Sequence, residues 1–306
     1  MTTFFNPARW QSRLRNYRIF RRNLGLPLLA VELSFDGRFE LQNHDAEQLV
    51  RLARGDVMWQ KERLLNLAWD QLPSHCTEVA WIDCDVLFTD PHWAARLSEK
   101  LQHHEVVHPF RAVHHLPPGE DGGEPPAYAG RPICTQVSRI ADRGLAQAWA
   151  RDDHSLEGKP IPGMAWAARR DWIERVQLPD RFIAGGGDSA WCAALENDPM
   201  RLIDRYRPNE AQQRSYLDWA GRVQRELTTP VASLEGNLLH LWHGDLGRRQ
   251  SLARQLALAG SGFDPTVDLV AGPQEAWRWR DPQCAAARFV REYFPTRQED
   301  AVQEAQ

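Results

Sequence analysis

Short apolar runs alternate along the chain with longer segments in which apolar residues recur every three or four positions, the pattern of strands followed by amphipathic helices. Phe4-Phe5, closed by Asn6-Pro7, predicts a short strand, and a helix is expected from Ala8 to about Asn23. Leu28 to Leu33 is an apolar run broken only by Glu32, short and branched enough for a buried parallel strand. Over Val57 to Leu72, Leu64, Leu67, Ala68 and Leu72 fall near one helical face, Lys61 and Glu62 turn toward water, and Pro73 ends the helix. Glu78 to Ile82 predicts another buried strand, delivering Asp83 and Asp85 at its carboxyl end. Asp90-Pro91 is an N-cap followed by proline at the first helical position, with a helix to about His103, and Val106-Val107 is a further short strand.

Residues 116–132 are dense in proline and glycine and too poor in apolar positions to pack, so a mobile loop or lid is expected. Beyond it, strands are predicted at Gly163 to Ala168 and Asn237 to Trp242. Helices are predicted at Arg170 to Val176, Ser189 to Leu195, Asn209 to Leu227, Gly247 to Ala259 and Pro282 to Tyr293. The polar stretch 297–306 is expected to be disordered. This order predicts an α/β fold, a single Rossmann-like mixed sheet flanked by helices with a helical C-terminal extension, whose ligands meet the carboxyl edge of the strands.

A length of 306 residues suffices for a large core without staples, and five scattered cysteines with no C-x-x-C pair read as reduced and mostly buried thiols. No window reaches the roughly 18 apolar residues of a membrane span. Met1 to Gln11 lacks an apolar stretch of signal length, so the cytoplasm is the expected compartment. A net charge of -4 gives no basic field to recruit nucleic acid. Locally, Arg9, Arg13, Arg15, Arg18, Arg21 and Arg22 make one cationic helix, either a solvated face or a phosphate or membrane contact. Thirteen tryptophans point to an indole-rich core and leave a few, such as Trp166, Trp191 or Trp242, that could stack on a sugar.

Asp83-Cys84-Asp85 places two carboxylates at a sheet edge, hard oxygen ligands that suit Mg²⁺ or Mn²⁺, and such an ion can bridge the phosphates of a nucleoside diphosphate. An acidic strand end that merely caps or is solvated would have the same pattern. His240 and His243, in His-Leu-Trp-His-Gly, supply imidazole ligands at a second strand end. Positions three apart on a strand face opposite sides, so both reach one ion only if the strand breaks between them; His243 is the preferred ligand and His240 a candidate buried structural histidine. Gly185-Gly186-Gly187-Asp188 allows close approach of a ligand and leaves Asp188 at a helix start, as N-cap, as general base, or as both.

In this order the motifs resemble those of metal-dependent glycosyltransferases of the type A fold, most closely the β-1,4-galactosyltransferase group and related bacterial proteins. Lys61-Glu62-Arg63-Leu64-Leu65-Asn66 is similar to the family's Arg-x-Lys-Leu-Leu-Asn, Asp83 and Asp85 match its Asp-x-Asp, and Gly185 to Asp188 resembles its Gly-Gly-Glu-Asp. His240 and His243 share the spacing of the family's metal-binding methionine and histidine. The resemblance spans residues 4 to 250, with Gly187 in place of the family's glutamate, Ser189 and Ala190 in place of further acids, and Lys61 in place of its arginine.

The resemblance implies transfer from a nucleotide-sugar donor, a UDP-sugar, to a glycan or other hydroxyl acceptor, with inversion and Asp188 as base. It implies metal at Asp83, Asp85, His243 and His240, and nucleotide contacts from Asn6, Arg9, Lys61, Asp83, Gly186 and Gly187. It divides the chain into a glycosyltransferase domain at 1–260, with a nucleotide-binding half at 1–110 and an acceptor half at 133–260, and an extension at 261–296. Ile82 to Leu87 also resembles the first motif of haloacid-dehalogenase-like phosphatases, with Asp83 as nucleophile, and a sugar-nucleotide or glycan-binding module without turnover is a third reading.

Overall fold

The structure is a computed structural model that describes residues 1–123, 134–141 and 159–301. Parallel strands β1 (Thr2–Phe5), β2 (Leu29–Leu33) and β3 (Gln48–Leu52) form its first sheet. A second comprises β4 (Glu78–Ile82), β6 (Val106–His108), β10 (Ala165–Arg169) and β11 (Ala232–Ser233), with β10 antiparallel to both its neighbours. Met1 joins the two: its nitrogen donates to Ala80 O at 2.6 Å and its carbonyl accepts from Ile82 N at 3.0 Å. That is a parallel pairing, giving one mixed sheet in the order β3-β2-β1-β4-β10-β6-β11.

Period-two alternation distributes the side chains of this sheet between two cores. Phe5, Leu29, Val31 and Leu33 face one cluster, and Phe4, Leu28 and Ala30 face the other, which is why these strands read as continuous apolar runs. Helix α1 (Gln11–Leu24) and α3 (Trp93–Leu101) cover the second cluster. The first is covered by α2 (Lys61–Ala68), α4 (Arg170–Val176), α5 (Gly187–Leu195), α6 (Pro199–Tyr206), α7 (Glu210–Glu226), α8 (Ala253–Gly260) and α9 (Ala285–Thr296). Much of the tryptophan content sits here: Trp191 packs edge-on against Trp81, Trp166 and Trp172 and tilts against Trp219, which anchors α5.

Beside the main sheet lies a smaller one, of β5 (Val86–Phe88), β7 (Ala112–His115), β8 (Thr135–Ser138), β9 (Pro160–Ile161) and β12 (Asn237–His240). The fold is thus the expected α/β sheet flanked by helices. Several elements differ in detail. The helix predicted over Val57 to Leu72 begins at Lys61 and tightens into a 3-10 turn at Trp69–Gln71, and that over Gly247 to Ala259 is split by Gln250 at φ 46° into a 3-10 turn at Leu246–Arg249 and α8. Residues 261–296 hold a short hairpin, β13 (Leu269–Val270) with β14 (Arg278–Trp279), besides α9.

The tail expected to be disordered from 297 is folded at its start, because Arg297 and Glu299, 4% and 1% exposed, pair with each other and Glu299 also pairs with Arg13; 302–306 lie outside the described residues. So does most of the expected loop, at 124–133. All five cysteines are free, but only Cys192 is buried; the others are half-buried. Among the described residues no helix is long and apolar enough to cross a membrane.

Candidate active site

The carboxyl ends of β1 and β4 open into a cleft of about 350 Å³ that also receives residues from β7, α5, the end of β12 and the segment after α9. Strand pairing builds its centre. β5 runs antiparallel to β12 with Val86 opposite His240, and Leu241 N donates to Asp85 O at 2.8 Å, so Asp85 stands beside the end of β12. The strand stops at His240, which frees His243 to turn to the same side. Asp85 Oδ2 lies 3.2 Å from His243 Nε2 and 3.7 Å from His240 Nε2, and the two Nε2 atoms are 3.1 Å apart.

One carboxylate oxygen and two imidazole nitrogens therefore converge, all within 4.8 Å of one another, and both histidines are buried. That mixed O/N donor set fits a divalent ion of the Mn²⁺ type. Burial, with the Arg249 guanidinium 2.6 Å from Nε2, pushes His243 well below the ordinary imidazole value. Burial likewise takes His115, behind His240, down to about 3. Asp85 is held below the ordinary carboxylate value, its burial outweighed by the groups around it, His243, His240 and Arg249, of which the Arg249 guanidinium is the one that carries a lasting charge.

Asp83 stands apart from this trio. Lys61 Nζ lies 2.7 Å from Asp83 Oδ1 and 3.1 Å from both oxygens of Asp188. The expectation that Lys61 and Glu62 face water is corrected: they are 7% and 5% exposed, because the first turn of α2 points at the acidic centre. Burial disfavours the Lys61 charge, but Asp188, Asp83 and Glu62 outweigh it and raise its pKa above the ordinary value. Burial lifts Asp83 to about 6.

Gly185 and Gly186 adopt φ of 81° and 93°, where glycine alone is unstrained, and bring the chain round so that α5 starts at Gly187 with Asp188 in its first turn. No side-chain cap is made there by Asp188. Gly186 lines the cleft with Asp188. Asn6 and Arg9 do not join the trio. Asn6 is buried, bonded through Oδ1 and Nδ2 to Trp10 N and O, and Arg9 pairs with Asp36 and Glu40 in a separate cleft of about 280 Å³. Trp166 and Trp191 are core and Trp242 lines a different surface cleft; Trp59 is the indole on the cleft wall.

Several cleft residues had no motif to mark them. Arg13 was one cation among six on its helix, yet its side chain turns inward, donating to Phe5 O at 2.6 Å and to both oxygens of Glu299 at 2.6 and 3.0 Å. Arg15, Arg18 and Arg22 stay on the exposed face. Arg249, Arg254 and Arg297 complete the cationic wall, and Arg254 is held by the Tyr293 hydroxyl and the Arg249 carbonyl. Of these, only Arg249 lies near a sequence motif, six residues after His243.

No protein-family model matches the chain, and no curated protein does. Among solved structures it is similar to glucosyl-3-phosphoglycerate synthase from Mycobacterium tuberculosis in complex with Mn²⁺, uridine diphosphate and phosphoglyceric acid, with 14% identity over 91% of this chain and 84% of that one and a TM-score of 0.40. It is also similar to a protein from Desulfovibrio desulfuricans assigned as a nucleotide-diphospho-sugar transferase, with 11% identity over 98% of this chain and 97% of that one and a TM-score of 0.34.

Proposed function

We propose that the chain is a metal-dependent glycosyltransferase that moves a sugar from a nucleotide-sugar donor, a UDP-sugar, to a hydroxyl acceptor with inversion. The observation that carries this reading is the meeting of three parts in one cleft: the Asp85, His240 and His243 trio, a wall of arginines, and Asp188 on Lys61. Departure of the sugar leaves growing negative charge on the diphosphate. Arg13, Arg249, Arg254 and Arg297 offer planar guanidinium donors to such oxygens, already in place before the bond breaks. A divalent ion held by Asp85, His240 and His243 would add Lewis-acid stabilisation of the same leaving group.

Asp188, in the same cleft, is the base that takes the proton of the acceptor hydroxyl as it attacks the anomeric carbon. Lys61 orients it and spans to Asp83, so that Asp83 serves the acidic centre rather than the trio. Gly186 lines the cleft beside Asp188, while Gly187 faces Glu62 behind it. The resemblance to the β-1,4-galactosyltransferase group supports the donor class and the inversion.

Purified protein incubated with UDP-sugars and Mn²⁺ should release UDP, slowly without acceptor and faster with the right one. Asp188→Asn should lower turnover by about 100-fold while keeping nucleotide binding, and His243→Ala should remove metal-dependent nucleotide binding. Hydrolysis of an aryl phosphate, abolished by Asp83→Asn, would instead establish the phosphatase. Metal-dependent nucleotide binding without turnover on any acceptor would establish a binding module.

A further inference from the structure

A chain of polar contacts leads from His240 along the cleft wall. In the smaller sheet β12 pairs with β7 so that His240 lies opposite His115, and their Nδ1 atoms are 2.8 Å apart. His115 Nε2 lies in turn 2.8 Å from Gln136 Oε1. Gln136, on the neighbouring strand β8, donates through Nε2 to Lys159 O at 3.4 Å, which turns its oxygen toward His115.

Hydrogen positions along this chain are determined one after another. An amide oxygen only accepts, so His115 Nε2 carries a hydrogen. The neutral ring then has a lone pair at Nδ1, which needs a donor, and the atom facing it is His240 Nδ1. His240 therefore holds its hydrogen at Nδ1 and turns a bare Nε2 toward Asp85 Oδ2 and His243 Nε2, so that three acceptor atoms meet with the Arg249 guanidinium, 2.6 Å from His243 Nε2, as the cation beside them. In the other tautomer an N–H would point into the trio and close it to a cation.

We propose that His115, oriented by Gln136, is a positioning residue that fixes the tautomer of His240 and so presents its Nε2 lone pair to a divalent cation. This rests on the metal site of the proposed function. His115 lines the cleft wall, but both its ring nitrogens are engaged, so it acts through His240 and is not itself a ligand. The arrangement is a version of the outer hydrogen bond that metal-binding histidines use, with an imidazole as acceptor where a carboxylate or carbonyl is usual.

The test uses the full chain and Mn²⁺ alone, with affinity measured by titration calorimetry and the His240 tautomer read from ¹⁵N chemical shifts in the metal-free protein. His115→Phe keeps a ring but removes both nitrogens, and should weaken Mn²⁺ binding by about 10- to 100-fold and move the His240 hydrogen off Nδ1. Gln136→Leu, which leaves His115 in place, should shift both readouts in the same direction. His115→Asn, whose Oδ1 can accept from His240 Nδ1, should restore affinity to within about threefold of the original chain. Unchanged affinity and tautomer in His115→Phe and Gln136→Leu, with binding lost in His240→Ala, would overturn the positioning role and leave the metal site standing. Absence of Mn²⁺ binding by the unaltered chain would overturn the metal site and the proposal with it.

Discussion

Two glycines hold the acidic centre open at the level of single residues. A Cβ on Gly163 would come within 2.8 Å of Asp188 Oδ2, the free end of a side chain that can swing aside. Gly163→Ala should therefore turn Asp188 away from Lys61, lower the transfer rate by about 100-fold and leave the melting temperature nearly unchanged. Steady-state kinetics beside thermal unfolding checks both parts. Gly187 faces Glu62 Oε1 so closely that position 187 admits no side chain, and that oxygen is buried without a hydrogen-bond partner. Burial lifts the Glu62 carboxyl to about 8, with Lys61 pulling against it and Asp188 and Asp83 adding to it. The native chain then keeps a proton that the unfolded chain releases, so the stability this group contributes is full below its ordinary value of 4.5 and is lost as pH rises to about 8. Glu62→Gln should flatten that loss and make the protein more stable than the original at pH ~9, by on the order of 4 kcal/mol, as read from urea unfolding across the range. Asp85, His243 and Asp188 were legible in the sequence because each lies in a short motif, the first two just beyond a strand and the third in the first turn of a helix. Glu62 was not, since helical periodicity pointed it outward and only the missing side chain at Gly187 gives it room inside.

Among elements, α1 has an unusual start. Its N-cap residue, Trp10, makes no side-chain cap, and the first backbone N–H groups of the helix, at Gln11 and Ser12, donate to the two carboxylate oxygens of Asp300, both at 2.8 Å. A cap supplied from the far end of the chain does the work of a local Ser or Asp. Asp300→Ala should lower stability by about 1 kcal/mol, measured by chemical denaturation, with little effect on metal affinity. Strands differ sharply in how far sequence announces them. β2 is buried on both faces and apolar but for Glu32, and β4 is apolar after Glu78, whereas β3, β7 and β8 are mixed in polarity and β5 has only three residues, so that pairing partners more than their own residues make them strands. The β12–β5 register still holds at Leu241, whose N bonds Asp85 O between segments more than 150 residues apart, and the turn on which joint use of both histidines depends comes only beyond it, up to Gly244 at φ 91°.

For the whole molecule, a ligand that binds only the folded chain shifts unfolding by mass action. Mn²⁺ at 100 times its dissociation constant should stabilise by about 2.7 kcal/mol, a rise of roughly 4 °C in Tm. The rise should be reversed by a chelator and absent in His240→Ala and His243→Ala; a full shift in either variant would place the ion elsewhere. The cationic wall was the part of the cleft least visible beforehand, because Arg13, Arg249, Arg254 and Arg297 share no motif and are gathered only by tertiary packing. Arg13 and Arg297 meet on Glu299, 286 residues beyond Arg13. That pairing has a temporal meaning: the ribosome must add 286 residues after Arg13 to reach the carboxylate that orients it, so the cleft cannot mature until Glu299 has emerged, and products cut short before it should lack activity.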